Sequence, residues 1–433
     1  MSFRFTVKAA YEVKTMKNTF DILIIGGGAS GIMAAITAAI VNADAKIAIL
    51  EKLPRVGKKI LATGNGRCNL SNSDTNLSRY HGENVKFAMS AFSQLSVPKT
   101  LDFFASAGIL TREESEGKIY PQGGQASAVL DLLRLRLQKL GVPEITDFEA
   151  VDIKCQKNGF SVKSKTGAVM QSKTVIVCAG GAAGPQFGTD GSAYRLLEKS
   201  GHTKTAVHPA LTRLKSSSPW HKSLQGIKFD GKAILKADGK VIRTEEGEIL
   251  FTDYGLSGPP VLQLSGDAVK ALNNNKKTVI FLDLVPEKNA DEITKSIKTL
   301  IKSTPDMPLE FFFSGMFNKQ IGKILVKAAD LGKLSRRADS LTGQEISRLT
   351  EIIKGWGFEI SGHTGWRDAQ TTAGGINVSE FFPASMESRL IPGLFAAGEI
   401  LDIYGDCGGF NLQWAWSSGY TAGKCAAERL KNE

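Results

Sequence analysis

Asp21-Ile22-Leu23-Ile24-Ile25-Gly26-Gly27-Gly28-Ala29-Ser30-Gly31 opens a run that continues through residues 32–40 and Lys46-Ile47-Ala48-Ile49-Leu50 to Glu51. How this run folds decides the fold of the chain. Residues 22–25 form a short, wholly apolar segment, as a parallel strand buried on both faces needs. The glycines follow at once in the spacing G-x-G-x-x-G. Residues 32–40 are apolar almost all round and include four alanines, so a helix here can lie close on a sheet. A second apolar strand ends in Glu51, twenty residues past Gly31. Each part has a physical task. Gly26 makes a tight turn, Gly28 lets a pyrophosphate approach the backbone, and Gly31 lets helix and strand close up. The helix N-terminus offers the phosphates unpaired N–H groups and a positive dipole end. Glu51 is placed to accept hydrogen bonds from the hydroxyls of an adenosine ribose. An ordinary glycine turn leaves Glu51 unexplained; a bound dinucleotide accounts for it.

The chain has 433 residues, 42% hydrophobic and 22% charged, the balance of a globular protein with room for two or three domains. No apolar run approaches the roughly 20 residues of a membrane span. Residues 1–15 lack the apolar block of a secretion signal, and Met16-Lys17 reads as a natural start, so the first fifteen residues are expected to be dispensable. Five scattered cysteines (68, 155, 178, 407, 425) with no C-x-x-C suit free thiols in a cytoplasm. The net charge is +11, yet the lysines are spread along the chain and no aromatic-basic RNA motif occurs, so nucleic acid is not the expected partner.

Further along, Gly57-Lys58-Lys59 and Thr63-Gly64-Asn65-Gly66-Arg67-Cys68-Asn69 suggest backbone threaded past a flat ligand. Residues 97–108 and 125–140 read as helices. Asn158-Gly159 between two alternating runs signals a hairpin, and the meander leads to a third buried strand, residues 174–178, ending at Ala179-Gly180. From residue 201, Asp230-Gly231, Asp238-Gly239 and Glu246-Gly247 punctuate short runs of an antiparallel insert. Residues 289–355 are helical, with a capping box at Thr342-Gly343-Gln344-Glu345. Residues 394–399 form a last parallel strand, and Asp406-Cys407-Gly408-Gly409-Phe410-Asn411 opens a final helix over 412–430.

The expected fold is therefore α/β. A Rossmann-like FAD-binding domain is split between residues 17–200 and 365–433. An antiparallel β-rich insert takes 201–288 and 356–364, and a small helical domain takes 289–355. FAD is favoured over NAD because the glycine-opened C-terminal helix faces back onto the same domain. Its N-terminus can hold the N1–C2=O edge of a flavin and stabilise the anion formed on reduction. Gly181-Ala182-Ala183-Gly184 is a poor second fingerprint, so a built-in NAD(P)H domain is not expected.

These segments resemble the three-domain bacterial flavoproteins described as NAD(P)/FAD-dependent oxidoreductases, which include an aminoacetone oxidase and a 3-dehydro-bile-acid Δ4,6-reductase. The resemblance covers residues 17–430 and implies a flavin domain, a β-barrel-like substrate domain at 201–288 and 356–364, and a helical domain. It rests on residues 57–69, 251–259, Thr372-Ala373-Gly374-Gly375, and Gly398-Glu399 with residues 408–419. One departure is Asp253, where the family often has His. The resemblance implies that Gly26, Gly28, Ala29, Ser30, Gly31, Glu51 and Lys52 hold the ADP half, with Ala150 against adenine. It implies Lys59, Gly64, Gly66, Arg67, Cys68 and Asn69 along the ribityl and ring. Ala179, Gly180, Gly398, Glu399, Gly408, Gly409, Phe410 and Asn411 complete the cofactor set, and no metal is expected.

The expected chemistry is hydride transfer between a small molecule and flavin N5, as amine oxidation or enone reduction, with NAD(P)H or another external donor for the reductive direction. Arg67, Tyr254, Ser257 and Thr372 are the candidate catalytic groups above the flavin. Tyr254 and Ser257 also suit a turn, and Thr372 a cap. Cys68 is a candidate redox thiol, with Cys407 its nearest prospect in space. His202 and His208 read as structural. A flavin-dependent RNA-modifying enzyme and a non-catalytic electron relay are the alternatives.

Overall fold

The computed structural model describes residues 18–432; the expected start at Met16 lies outside them. Strand β1 (Thr19–Ile25), helix α1 (Ala29–Val41) and strand β2 (Ile47–Leu50) follow one another as the opening run requires. Parallel neighbours build the centre of a seven-stranded sheet. β1 lies between β2 and Val169–Val177, Leu394–Ala396 pairs with Val169–Val177, and Glu144–Ile145 pairs with β2. Ile22, Leu23, Ile24, Val175, Ile176 and Val177 are wholly buried, which is why both strands read as unbroken apolar runs. The hairpin Ala150–Gln156 and Gly159–Ser164 extends the sheet antiparallel.

The C-terminal helix (Phe410–Asn432) lies across α1. Gly419 and Gly423 make the contact: a Cβ on either would stand 2.3 or 2.2 Å from the carbonyl oxygen of Ser30 or Ala34. The two ends of the described chain thus share one core. His202 is a satisfied structural histidine, buried between Glu380 (3.0 Å from Nδ1) and Ser388 (3.0 Å from Nε2).

The insert closes into a six-stranded barrel of Leu214–Ser216, Gly255–Ser257, Lys240–Phe251, Lys228–Ala237, Thr278–Asp283 and Trp356–His363, in that order. Phe251, Phe358, Leu235 and Ile280 fill it. Two sequence expectations need correction here. Only Asp238-Gly239 is a turn. Asp230-Gly231 and Glu246-Gly247 lie inside two long strands, with Gly231 facing Gly247. A Cβ on Gly231 would press on the carbonyl oxygen of Asp283 at 2.8 Å, so glycine here permits close strand approach rather than reversal. The region also contains an unexpected helix, Pro259–Asn273, with prolines at its first positions, where no N–H is needed.

Helices Ala290–Ser303, Leu309–Phe312, Lys319–Ala328 and Gly343–Gly355 share the apolar core of the barrel. The Thr342–Glu345 capping box forms as read. His208–Ala210 pairs with Thr371–Ala373 where the chain leaves the α/β part and returns to it.

Candidate functional site

The β1–α1 turn is built by its glycines. Gly26 has φ +103°, and a Cβ there would stand 2.6 Å from the Cys178 carbonyl oxygen. A Cβ on Gly31 would stand 1.9 Å from the Gly26 oxygen, so helix and turn touch backbone to backbone. Gly28, by contrast, caps α1 and faces open space, with nothing within 4 Å of a Cβ. No acidic side chain occupies the first turn of α1. Glu51 closes the turn from the end of β2: Oε2 accepts from Gly27 N at 2.8 Å and Oε1 from Leu53 N at 2.9 Å. Burial raises the Glu51 pKa above the usual carboxylate range, against the lowering effect of these bonds.

A cleft of about 1260 Å³, open solvent included, begins at this turn. Gly26, Gly28, Ala29, Ser30, Glu51, Lys52, Lys59, Ala150, Ala179, Gly180, Glu399 and Asn411 all line it, so it draws on both ends of the chain. Lys59 Nζ pairs with Glu399 Oε2 at 2.7 Å and donates to Ala183 O at 3.0 Å. Lys52 pairs with Asp190 at 3.0 Å.

The remaining expected residues stand behind or beside this wall. Gly64 (φ +55°) and Gly66 (φ +83°) shape the loop that presents Thr63 to the cleft. Arg67 turns away, paired with Glu114 and stacked 4.0 Å over the Tyr120 ring. Cys68 is fully buried, and burial pushes its thiol up to about 12. Gly398 (φ +80°) accepts from Trp414 Nε1 at 3.1 Å. Gly408, Gly409 and Phe410 open the C-terminal helix, and a Cβ on Gly409 would stand 2.2 Å from Ser71 O.

The four candidate catalytic groups do not converge on the cleft. The Thr372 hydroxyl donates to Glu399 Oε1 at 2.9 Å and accepts from Ala182 N and Ala183 N at 2.8 and 3.0 Å, so its bonding capacity is filled. It positions Glu399 from one layer behind. Tyr254 OH accepts from Arg213 at 3.2 Å, and Ser257 is buried in a barrel strand.

Residues 20–425 match the family described as HI0933-like protein Rossmann domain. The chain belongs to the HI0933-like family. Its relatives include a Clostridium scindens protein named 3-dehydro-bile acid delta(4,6)-reductase, 39% identical over 408 residues, 94% of this chain and 98% of that one. A ribosomal RNA dihydrouridine synthase of Escherichia coli K12 is 26% identical over 414 residues, 95% of this chain and 98% of that one. Among solved structures, a 3-ketosteroid delta1-dehydrogenase from Sterolibacterium denitrificans superposes with a TM-score of 0.50 at 13% identity, covering 95% of this chain and 100% of that one. At that identity the likeness is one of fold.

The HI0933-like chain is an FAD-dependent oxidoreductase, and its residues fit that cofactor. The open space over Gly28 and the acid-free first turn of α1 suit a pyrophosphate. The buried Asn69 side-chain oxygen, beside Gly409, lacks a hydrogen-bond partner among the described residues, an acceptor left for a ring N–H. The sequence reading missed the loop at residues 187–193 and the wall formed by Gln370, Leu412, Trp414 and Ala415. Gly188-Thr189-Asp190-Gly191, with two glycines in four residues, was the available signal.

Proposed function

We propose that this HI0933-like protein reduces a carbon–carbon double bond conjugated to a ketone in an apolar, steroid-sized molecule, with electrons from NAD(P)H or another external donor. One observation carries the reading: the full-length 39% identity to a protein named for reducing such bonds in a bile acid. The second relative supports the same chemistry, because dihydrouridine is uridine with the bond conjugated to its carbonyl reduced.

When bound, FAD supplies the hydride carrier. The chain's own residues do the rest. Gly28 and the α1 N-terminus hold the phosphates, and Glu51 the ribose. Lys59 and Glu399, fixed by Thr372, orient the middle of the cofactor, and the C-terminal helix faces the ring with its positive end. Residues 17–200 and 365–433 form the cofactor part in this proposal. Residues 201–288 and 356–364 cover the substrate side, and 289–355 brace the barrel. A cytoplasmic setting belongs to the same reading, since a reducing compartment keeps five scattered thiols free.

The test is to reduce the purified holoenzyme anaerobically and mix it with a steroid dienone. Return of the oxidised visible spectrum with loss of the dienone band is the expected outcome. Bleaching of the oxidised protein by an amine, with peroxide released in air, would replace the reading with amine oxidation. A second reading, reduction of uracil in RNA, has the 26% relative and the +11 charge behind it. A salt-sensitive gel shift with ribosomal RNA would favour it.

A further inference from the structure

The Asp406-Cys407 turn lies just ahead of the glycine pair that opens the C-terminal helix, and the barrel grips it from two elements. Arg243, on the strand Lys240–Phe251, donates from Nη2 to Asp406 Oδ1 at 2.9 Å. Gln263, on the helix Pro259–Asn273, accepts from Cys407 N at 2.9 Å. Asp406 is 2% exposed. His81 Nε2 also meets its Oδ1 at 2.7 Å, and Arg79 Nη1 stands 3.5 Å from its Oδ2. Arg243 is in turn steadied by Glu245 at 2.7 Å and Asp267 at 4.0 Å.

From this turn the contacts run on to the cleft. Asn411, in the first turn of the helix and on the cleft wall, donates to Gly405 O at 2.7 Å and Asp406 O at 3.3 Å. It accepts from Gly405 N at 2.8 Å. So the barrel fixes the turn, the turn fixes Asn411, and Asn411 faces the cofactor site. A buried carboxylate ahead of a helix N-terminus also opposes that helix's positive end unless a cation cancels it.

We propose that Arg243 and Gln263 are positioning residues of the barrel: they fix the start of the helix beneath the flavin, and Arg243 cancels the Asp406 charge there, so that seating the barrel raises the electron affinity of the bound cofactor. This rests on FAD occupying the cleft as read above. Reduction adds negative charge to the flavin, so removing the Arg243 charge disfavours it and removing the Asp406 charge favours it.

The experiment measures the midpoint potential of the full-length holoprotein against a reference dye, with FAD affinity measured alongside, for R243Q, R243K, D406N, R243Q/D406N and the exposed control K228Q. For R243Q the oxidised-to-reduced ratio at the wild-type midpoint should rise about tenfold, a fall of about 30 mV for a two-electron couple. R243K should recover most of that shift. D406N should move the potential the opposite way, the double variant should return toward wild type, and K228Q should not move. A merely structural role weakens FAD binding in R243Q and D406N alike and leaves no shift of opposite sign. Equal-sign shifts, or an unchanged potential in D406N, overturn the proposal even if R243Q does not fold. Failure of the wild-type protein to take up FAD would overturn the underlying functional reading instead, and that outcome is read separately.

Discussion

Gly419 sits directly on the Ser30 carbonyl: a Cβ there would stand 2.3 Å from that oxygen, and four residues on Gly423 repeats the contact with Ala34 at 2.2 Å. The spacing of one helical turn lets the C-terminal helix press backbone to backbone on α1. Replacing either glycine by alanine forces the helices apart. G419A should cost about 1–3 kcal/mol, the usual range for overpacking a tight contact. Its melting temperature should fall and its FAD affinity with it, since the proposed function uses α1 for the phosphates and the C-terminal helix for the ring. A variant with unchanged melting temperature and affinity would contradict this account of how the chain ends meet.

Gly28 and Gly31 should part company on mutation. Gly31 has no room, because a Cβ there would stand 1.9 Å from the Gly26 oxygen, so G31A should unfold or lose the turn. Gly28 has room and an ordinary φ of −80°. Alanine fits that conformation, so G28A should be as stable as the parent or gain about 0.4–1 kcal/mol by narrowing the unfolded ensemble. Its methyl group would stand where the phosphates approach. FAD affinity should therefore fall at least about tenfold, or about 1.4 kcal/mol, while the apo-protein melts no lower. Thermal melts with and without FAD separate the two effects.

The legible part of this fold is local. The β1–α1–β2 unit, the hairpin and the capping box each follow from neighbouring residues, as do the tight turn at Gly26 and the close helix contact at Gly31. What stayed hidden depends on partners far along the chain. Gly231 and Gly247 look like turn residues because Asp-Gly and Glu-Gly mark turns; only the strand register shows them facing each other. The helix Pro259–Asn273 hid behind its own prolines. Arg243 meets Asp406 across 163 positions and Gln263 meets Cys407 across 144, separations that no local spacing encodes. Arg67 was read toward the flavin, but Glu114 and Tyr120, brought up by a neighbouring hairpin, hold it elsewhere.

Glu51, if it holds the ribose as proposed, should make cofactor binding depend on pH. In the protein without cofactor, burial raises its pKa and the bonds from Leu53 N and Gly27 N only partly offset this. A raised folded-state value means that the folded chain holds the proton more tightly than the unfolded one. The contribution of Glu51 to stability is therefore full below the unfolded-chain value and is lost as pH rises through the folded one. Ribose hydroxyls donating to the carboxylate favour its ionised form. FAD affinity should thus climb with pH in a window above the usual Glu value of about 4.3. E51Q should flatten that dependence and weaken binding by about 1.5–3 kcal/mol, the range for a hydrogen bond to a charged group. Fluorescence titration of FAD over the acid limb decides it; a sloping profile retained in E51Q would rule Glu51 out as the cause.

The cysteines should react in an order set by burial, and that order bears on whether a thiol joins the redox chemistry. Cys68 and Cys178 are sealed in the core, and burial pushes both thiols up to about 12. Almost no thiolate is then present at neutral pH, and thiolate is the reactive form. Cys425 is raised to about 11, and burial raises Cys407 as well, whose backbone N–H is held by Gln263. Cys155 is exposed on the sheet hairpin. Mass-spectrometric mapping after brief treatment with iodoacetamide should find Cys155 modified first, and Cys68 and Cys178 only after unfolding. The expectation of Cys68 as a redox partner of the flavin fails on the same physical ground, because disulfide exchange needs an accessible thiolate. Rapid labelling of Cys68 in the native holoprotein would reopen that role.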